Sequence, residues 1–422
     1  MRDAMGQSAR PNGHVLFLLF VMMIGALVGL FVWAFLYVMN LGIDFIWNHL
    51  YPMSGLSLFP LIVCILGGAV IGLYAKRFGR LPPELSEVMG KIRKEKRYHY
   101  DDVGVSIVAA LLPLLFGGCV GPEAGLTGSI AGLCTWAGDC MRIAGRELSE
   151  LTEIGISATL GAIFGAPLFG FVAPLETEAD SEEETVFPRR TKMLLNLVAI
   201  FGGLATFMLM NALTGGHEGL YRFDAIQIRE GELVWLVPLV LVGIVCGLLY
   251  RGFGWLTARL ATSFGDRPVE KAVICGLVLG SLGILLPFVM FAGESQMELL
   301  AEDWQSIPVL ILLSTGLVKL FMGPFCINFG WRGGNIFPVI FSGVAIGFAS
   351  ATLIGIDSVF CVCVVTSTLC GMVMRRPLAV MMLLLICFPV SAILFIGIAA
   401  IIGSSVPLPR ALRGKAESGR TS

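Results

Sequence analysis

The sequence predicts an all-α polytopic membrane protein built from two repeats of broken and tilted transmembrane helices. Of its 422 residues, 56% are hydrophobic and only 14% are charged, whereas soluble domains carry about 25% charged residues. The apolar residues come in long uncharged runs, some of them close to the roughly 20 residues of a membrane span. A pair of related glycine-rich motifs, one in each half of the chain, predicts the repeats.

About a dozen apolar runs follow one another along the chain. They cover roughly 15–39, 55–75, 103–120, 124–138, 154–175, 193–213, 234–249, 272–293, 307–329, 334–355, 358–374 and 377–408. Several are too short or too rich in glycine for a simple span, and a membrane tolerates such broken backbone only inside protein or beside a polar cavity. The first run is too long for a signal peptide, so we expect a retained helix. We expect residues 41–55, LGIDFIWNHLYPMSG, to form a loop.

Lysine and arginine predict the orientation in the membrane. They concentrate between residues 76 and 97 and in both terminal tails, and the stretch 41–55 has neither. Because cytoplasmic loops carry the excess of basic residues, we expect both termini in the cytoplasm.

Two motifs occur in the same order in both halves. GGCVGP at 117–122 corresponds to GGNIFP at 333–338, and APLFG at 166–170 is echoed by RPLAV at 376–380. Repeats with broken helices in corresponding positions are typical of transport proteins whose site lies at the repeat interface. The predicted divisions are a first repeat at 1–215, a second at 216–406, and a short cytoplasmic tail at 407–422 without a regulatory domain.

Glu123 is a lone carboxylate among apolar residues. An ionisable group at membrane depth costs at least about 2.5–3.5 kcal/mol and therefore suggests a function. Pro122 favours a helix start here, so we predict a helix from Pro122 to about Trp136. The N–H groups at such a start attract anions. Glu123 would compete with an anion when ionised and leave when protonated; the alternative is an ordinary first-turn glutamate.

The second-half motif GGNIFP predicts a matching backbone site. Its glycines permit conformations that bulky residues resist, so the N–H groups of Asn335 and Ile336 would face a ligand. The alternative is a tight turn between packed helices. Arg332, just before the motif, is a candidate supporting charge for the approach of an anion, or else a charge at the membrane surface.

Three further charged residues border or enter apolar runs. Lys319 lies well within one, and we expect a structural or electrostatic supporting role rather than direct binding of a ligand. Glu176 and Glu178 end another run and are candidate proton relays. The alternative for both glutamates is a solvated acidic loop.

Other classes of site are disfavoured by the sequence. Nearly all of the 11 cysteines lie inside apolar runs, and no pair has a zinc-like spacing with histidines nearby. We therefore predict no metal and no cofactor. The four histidines lie in loops or at the edges of runs, which argues against an intramembrane enzyme. No basic block is large enough for nucleic acid.

These residues resemble the CLC family of chloride channels and proton-coupled chloride exchangers, from about residue 80 to 410. Its motif G-x-E-G-P is similar to residues 121–125, its G-x-F-x-P to 334–338, and FGAPLFG at 164–170 is also similar. The resemblance is closest to a divergent bacterial branch of ion-channel proteins, which implies the bacterial inner membrane as the location. It implies two inverted halves, a homodimer with one pore per subunit, and Glu123 as the gating glutamate. The expected anion-binding residues are Gly121, Ala124, Gly334, Asn335 and Ile336.

The chain departs from the family pattern at several positions. Ile336 replaces the motif phenylalanine, Arg80 stands where a serine is expected, and Pro409 stands near the expected tyrosine. The family's internal proton glutamate aligns with Thr177. These departures leave anion coordination to backbone N–H groups and leave proton coupling open.

The predicted function is transport of chloride or a similar small anion through a CLC-type pore gated by a protonatable glutamate. Protons are a candidate second substrate, and the lipid bilayer is the surrounding medium. A secondary transporter of another small solute, or of fluoride, is the alternative.

Overall fold

The computed structural model describes residues 11–79, 103–140, 146–178, 189–215, 220–227 and 231–409, with single positions 88, 90 and 95. Within these ranges the chain is almost wholly helical, and the one β-type pairing is an isolated bridge. The described helices are α1 (Pro11–Ile43), α2 (Tyr51–Ser54), α3 (Phe59–Phe78), α4 (Val103–Leu115), α5 (Glu123–Cys140), α6 (Arg146–Ile163), α7 (Pro167–Glu178), α8 (Arg189–Thr214), α9 (Leu236–Ser263), α10 (Pro268–Leu285), α11 (Glu294–Asp303), α12 (Val309–Asn328), α13 (Ile336–Ile354), α14 (Ser358–Met374), α15 (Pro377–Leu384) and α16 (Ile393–Ser405).

Seven helical stretches of the described residues are long and apolar enough to cross a membrane. They are Phe17–Ser54, Phe59–Phe78, Arg190–Thr214, Glu232–Ser263, Pro268–Leu285, Val309–Asn328 and Ile336–Ile354. The predicted loop at 41–55 is wrong. Helix α1 continues through the π-helical stretch Asp44–Leu50 into α2. Pro52 fits because it stands in the first turn of α2, and the helix ends at Gly55, whose φ is 61°.

The helices form two compact units. Unit 1 contains α1, most of α4, and α5 to α8; unit 2 contains α2, α3, the end of α4 with the residues to Gly121, and α9 to α16. Residues 45–79 and 112–121 thus pack with the second half of the chain. The repeat boundary at residue 215 stays a prediction, because a packing unit need not be a duplicated unit.

Small residues bring helices close together in unit 1. Gly25 and Gly29 of α1 face the backbone of Ala199 and Gly203 on α8, and a methyl group at either glycine would overlap a carbonyl oxygen. Gly170 of α7 also lies close to the backbone of α6. Close approach of this kind is how helices associate in lipid, where no hydrophobic force drives them together.

Helices α3 and α10 of unit 2 meet in the same way. Gly68 faces the carbonyl of Ala272, and Gly276 faces the carbonyl of Cys64. Helix α13 is the core of this unit, since every residue from its start to Ala351 is buried.

Gly276→Ala is expected to lower the free energy of unfolding by about 1–3 kcal/mol, the usual cost of overpacking a close contact. The added methyl would overlap the Cys64 carbonyl. Gly252→Ala on α9 is the matched control, because no heavy atom lies within 4 Å of its Cβ position. Thermal unfolding in detergent measures both, and equal melting temperatures for Gly276→Ala and the wild type would contradict the close packing.

Candidate functional site

The two glycine motifs are directly paired within unit 2. The Gly121 N–H donates to the Gly334 carbonyl at 2.8 Å, and the Gly334 N–H donates to the Gly121 carbonyl at 2.7 Å. The sequence predicted the motifs as counterparts but not this contact. The pairing uses both N–H groups and fixes the backbone on which the neighbouring residues sit. The assignment of Gly121 and Gly334 to anion binding stays a prediction.

Glycine is required at 333 because the two segments approach so closely. A Cβ there would lie 2.7 Å from the Val120 side chain and 2.9 Å from the Gly121 carbonyl. Trp331, fully buried just before it, donates from Nε1 to the Ala272 carbonyl at 2.9 Å. These contacts hold the segment that leads into α13.

Helix α13 begins at Ile336, directly after this pairing, with Asn335 at the N-cap position. The helix start therefore lies in the interior of unit 2, where its dipole favours negative charge. The Asn335 side chain makes no capping bond. Its Nδ2 instead donates to the Tyr250 hydroxyl oxygen at 2.9 Å.

Glu123 is the first residue of α5, one position after the predicted start at Pro122, and it is 2% exposed. It follows Gly121 by two positions in the chain, and Ala124 beside it is also buried. The Thr127 hydroxyl donates to the Glu123 carbonyl at 2.9 Å, as side chains inside a helix commonly do. A carboxylate in the first turn is favoured by the helix dipole.

Lys319 is fully buried in α12 and holds an irregular segment between α10 and α11. Its Nζ donates to the carbonyls of Phe288 at 2.8 Å, Met290 at 3.1 Å and Phe291 at 3.0 Å. It also lies 4.5 Å from the centre of the Phe341 ring, a favourable cation–π distance. A fourth and longer contact runs from Nζ to Gln296 Oε1 at 3.4 Å. All these partners belong to unit 2, and together they use the three protons of the ammonium group.

The segment held by Lys319 supports the first glycine motif. The Phe291 N–H donates to the Gly117 carbonyl at 3.0 Å. Phe291 has φ of 60°, a left-handed conformation uncommon outside glycine. The lysine thus acts on the motif through this segment rather than by touching a ligand there.

The other predicted charges occupy separate places. Glu176 is half-buried near the end of α7 in unit 1, while the side chain of Glu178 lies outside the described part of the structure. Arg332 is half-buried between Trp331 and Gly333. Arg80 and the Thr177 side chain fall outside the described residues, and Pro409 is exposed at the end of the last described range.

Two polar features were missed from the sequence. One is the Tyr250 contact, which joins residues 85 positions apart. The other is a buried ion pair in unit 1, where Lys192 Nζ of α8 lies 2.7 Å from Glu153 Oε2 of α6. Glu150 and Glu153 stand three positions apart in the sequence, a spacing that indicates that α6 begins before residue 154. Both residues are buried in the structure.

Comparison with known proteins decides the family. Residues 67–407 match the family described as voltage gated chloride channel. The chain belongs to that family. Its members are transport proteins, so the expectation of a non-enzymatic membrane protein is confirmed, as is the resemblance found from the motifs.

Curated relatives in this family align with only part of the chain. One is named "Putative ion-transport protein YfeO" in Escherichia coli O1:K1 and is 28% identical over 248 residues, which cover 57% of this chain and 56% of the relative. A second relative of that name, from Shigella boydii serotype 18, is 27% identical with the same coverage. The chain therefore aligns with little more than half the length of the curated relatives it matches.

Solved structures match almost the whole fold. A CLC-type fluoride/proton antiporter aligns with a TM-score of 0.75 at 20% identity, covering 94% of this chain and 96% of that one. A slow cyanobacterial Cl⁻/H⁺ antiporter aligns with a TM-score of 0.76 at 17% identity, covering 96% and 97%. At such identities the likeness concerns the fold, and it confirms the predicted all-helical CLC architecture.

Proposed function

We propose that this protein carries a small inorganic anion, chloride first, across the bacterial inner membrane. The observation that carries the proposal is the start of α13 at Ile336, buried in unit 2 and formed on the paired glycine motifs. Backbone N–H groups at a helix start bind an anion through dipoles. Neutral dipoles hold the ion without the trapping that a fixed full charge would cause, so it also leaves.

The residues proposed to serve the anion are Asn335 and Ile336 at the start of α13 and Ala124 at the start of α5. Glu123 gates access by competing for the anion while ionised and yielding when protonated. The burial of Glu123 supports this role. Burying a carboxylate costs free energy, and a residue kept in spite of that cost suggests a function. Anion flux is therefore expected to rise as the pH falls.

Lys319 supports the site from a distance. Carbonyl oxygens hold its positive charge in place. We therefore propose that Lys319 attracts anions and supports the backbone without contacting the ion. We propose a supporting role for Arg332 as well, and a proton-relay role for Glu176 and Glu178. The assembly proposed is a homodimer with both termini cytoplasmic.

Fluoride is the second candidate substrate. It is favoured by the structural neighbour titled a fluoride/proton antiporter, which aligns as well as the chloride antiporter does. Both neighbours are also titled as proton antiporters. The two anions and the coupling can be separated in one experiment.

The experiment follows anion and proton movement together in vesicles that contain the purified protein. We expect chloride to be carried, bromide and nitrate to compete with it, and fluoride to compete weakly. Preferential transport of fluoride would favour the second candidate. Uphill proton movement driven by a chloride gradient would establish exchange, and its absence would establish a passive pore.

A further inference from the structure

Unit 1 buries a charged pair that the proposed anion site does not use. Lys192 Nζ of α8 lies 2.7 Å from Glu153 Oε2 of α6, and the two side chains are 4% and 8% exposed. A second carboxylate, Glu150, is buried three positions earlier on the same face of α6. Ionisable side chains inside a membrane protein are costly and mark ion or proton pathways. These three residues therefore suggest a second site.

Asn196 adds an acceptor without a donor to this group. It lies one turn after Lys192 on the same face of α8 and is 1% exposed, and within the described residues its Oδ1 has no hydrogen-bond partner. An unsatisfied acceptor in a buried position costs free energy. A group that arrives in the cluster with a proton to donate would recover that cost.

The helix register explains why Asn196 lacks a donor. Two turns beyond the ion pair, the Ile200 side chain of α8 lies against Gly161 of α6. Asn196 is halfway between these two contacts on α8, and Ser157 holds the same place on α6. The Ser157 hydroxyl donates to the Glu153 carbonyl at 3.0 Å, so its proton is not available to Asn196. Protonation of the Glu153 carboxyl would supply the missing donor.

Helix α7 brings Glu176 to the level of Glu153. Gly170 packs against the backbone of Ser157 and Gly161, so α7 runs back along α6. Glu176 lies six residues after Gly170, about 9 Å along the helix axis. Glu153 lies about the same distance before the midpoint of the two α6 contacts. The half-buried Glu176 is therefore placed to pass protons between the end of α7 and the buried Glu153.

Glu153 stands on a helix that packs mainly against α1, α5, α7 and α8. The described charged side chains on these helices that are not exposed are Glu123, Asp139, Glu176 and Lys192. We infer that Glu153 is a proton-binding residue, held in place by Lys192 and donating to Asn196 Oδ1 when protonated. The ion pair then becomes a carboxyl beside an ammonium, and the proton leaves by the reverse path through Glu176. This assignment rests on the proposed function, for which it names an interior proton site.

Infrared difference spectra of the purified protein test the proton site without any transport. Between about pH 8 and pH 4, a range in which buried carboxyls titrate, the wild type should gain the carbonyl band of protonated Glu153. Glu153→Gln/Lys192→Met removes both charges together, which a fold tolerates better than removal of one, and should lack that band. Asn196→Leu should keep the band at a higher frequency, because the carboxyl loses its acceptor. An unchanged band in either variant would overturn the inference, and Asn196→Leu decides it even if the double variant folds poorly.

Proton movement driven by a chloride gradient tests the same variants in vesicles. We expect it to fall at least about tenfold in Glu153→Gln/Lys192→Met, because a positioned proton-transfer group commonly contributes a factor of about 100 or more. Chloride efflux should continue, since no residue of the proposed anion site is changed. Arg267→Met/Glu270→Gln is the matched control, because it neutralises an exposed pair and should leave both movements unchanged. A merely structural pair would leave proton movement unchanged in Glu153→Gln/Lys192→Met as well, and that result would overturn the inference.

The two measurements distinguish failure of this inference from failure of the proposed function. A wild type that carries no chloride would contradict the proposed function, and the infrared band would still decide the inference. Chloride efflux without proton movement in the wild type would overturn the inference alone.

Discussion

Glu123→Gln is expected to raise chloride flux at neutral pH by about tenfold and to abolish its dependence on pH. The carboxylate is 2% exposed in the first turn of α5, where attraction to a helix start is worth up to about 2 kcal/mol. If the carboxylate competes with the anion by about 1.4 kcal/mol, removing that competition raises the rate about tenfold. Glutamine keeps the shape of the side chain and loses both the charge and the titration.

Glu270→Gln is the matched control for this variant. Glu270 also lies in the first turn of a helix, α10, but its side chain is 56% exposed and paired with Arg267. The chloride flux of Glu270→Gln and the pH profile of that flux should match those of the wild type. The measurement is chloride efflux from vesicles between about pH 4 and pH 8. A pH profile of Glu123→Gln that coincides with the wild-type profile would show that another group is the gate.

Lys319→Met is expected to cost at least about 3 kcal/mol of stability and to leave little folded protein. Methionine fills much of the same volume but leaves the carbonyls of Phe288, Met290 and Phe291 without their shared donor. Each buried acceptor left unsatisfied costs about 1–3 kcal/mol. The segment that supports Gly117 would lose its anchor at the same time.

Thermal unfolding in detergent tests this expectation, with Lys76→Met as the control. Lys76 is exposed in the last turn of α3, so the same substitution there removes a charge without opening a buried network. We expect a lower melting temperature for Lys319→Met and an unchanged one for Lys76→Met. A Lys319→Met protein that melts with the wild type would mean that the three carbonyl contacts contribute little.

Patterns local in sequence were enough to predict much of the fold. The start of α5 at Glu123 follows from Pro122 and its glycine-rich surroundings, and the predicted run at 358–374 coincides with α14, Ser358–Met374. The helical course of residues 41–54 was missed because a proline and polar residues resemble a loop when read without their neighbours. Proline at the first turn of α2 is compatible with a helix.

Contacts between distant residues could not be read from the chain. The sequence shows the two counterpart motifs. It does not show that the N–H groups of Gly121 and Gly334 donate to each other's carbonyls and not to a ligand. In the same way, Asn335 looks like a cap until Tyr250 is seen beside it. Contacts between residues distant in sequence decide which backbone N–H groups are used, and the sequence alone does not show these contacts.

Chloride efflux from vesicles containing the purified wild-type protein tests most directly whether the protein carries chloride. Valinomycin and potassium would remove the voltage that opposes efflux. We expect efflux that grows in proportion to the protein added and increases as the pH is lowered. Efflux no faster than from protein-free vesicles, at every pH tested, would contradict the proposal that the protein carries chloride.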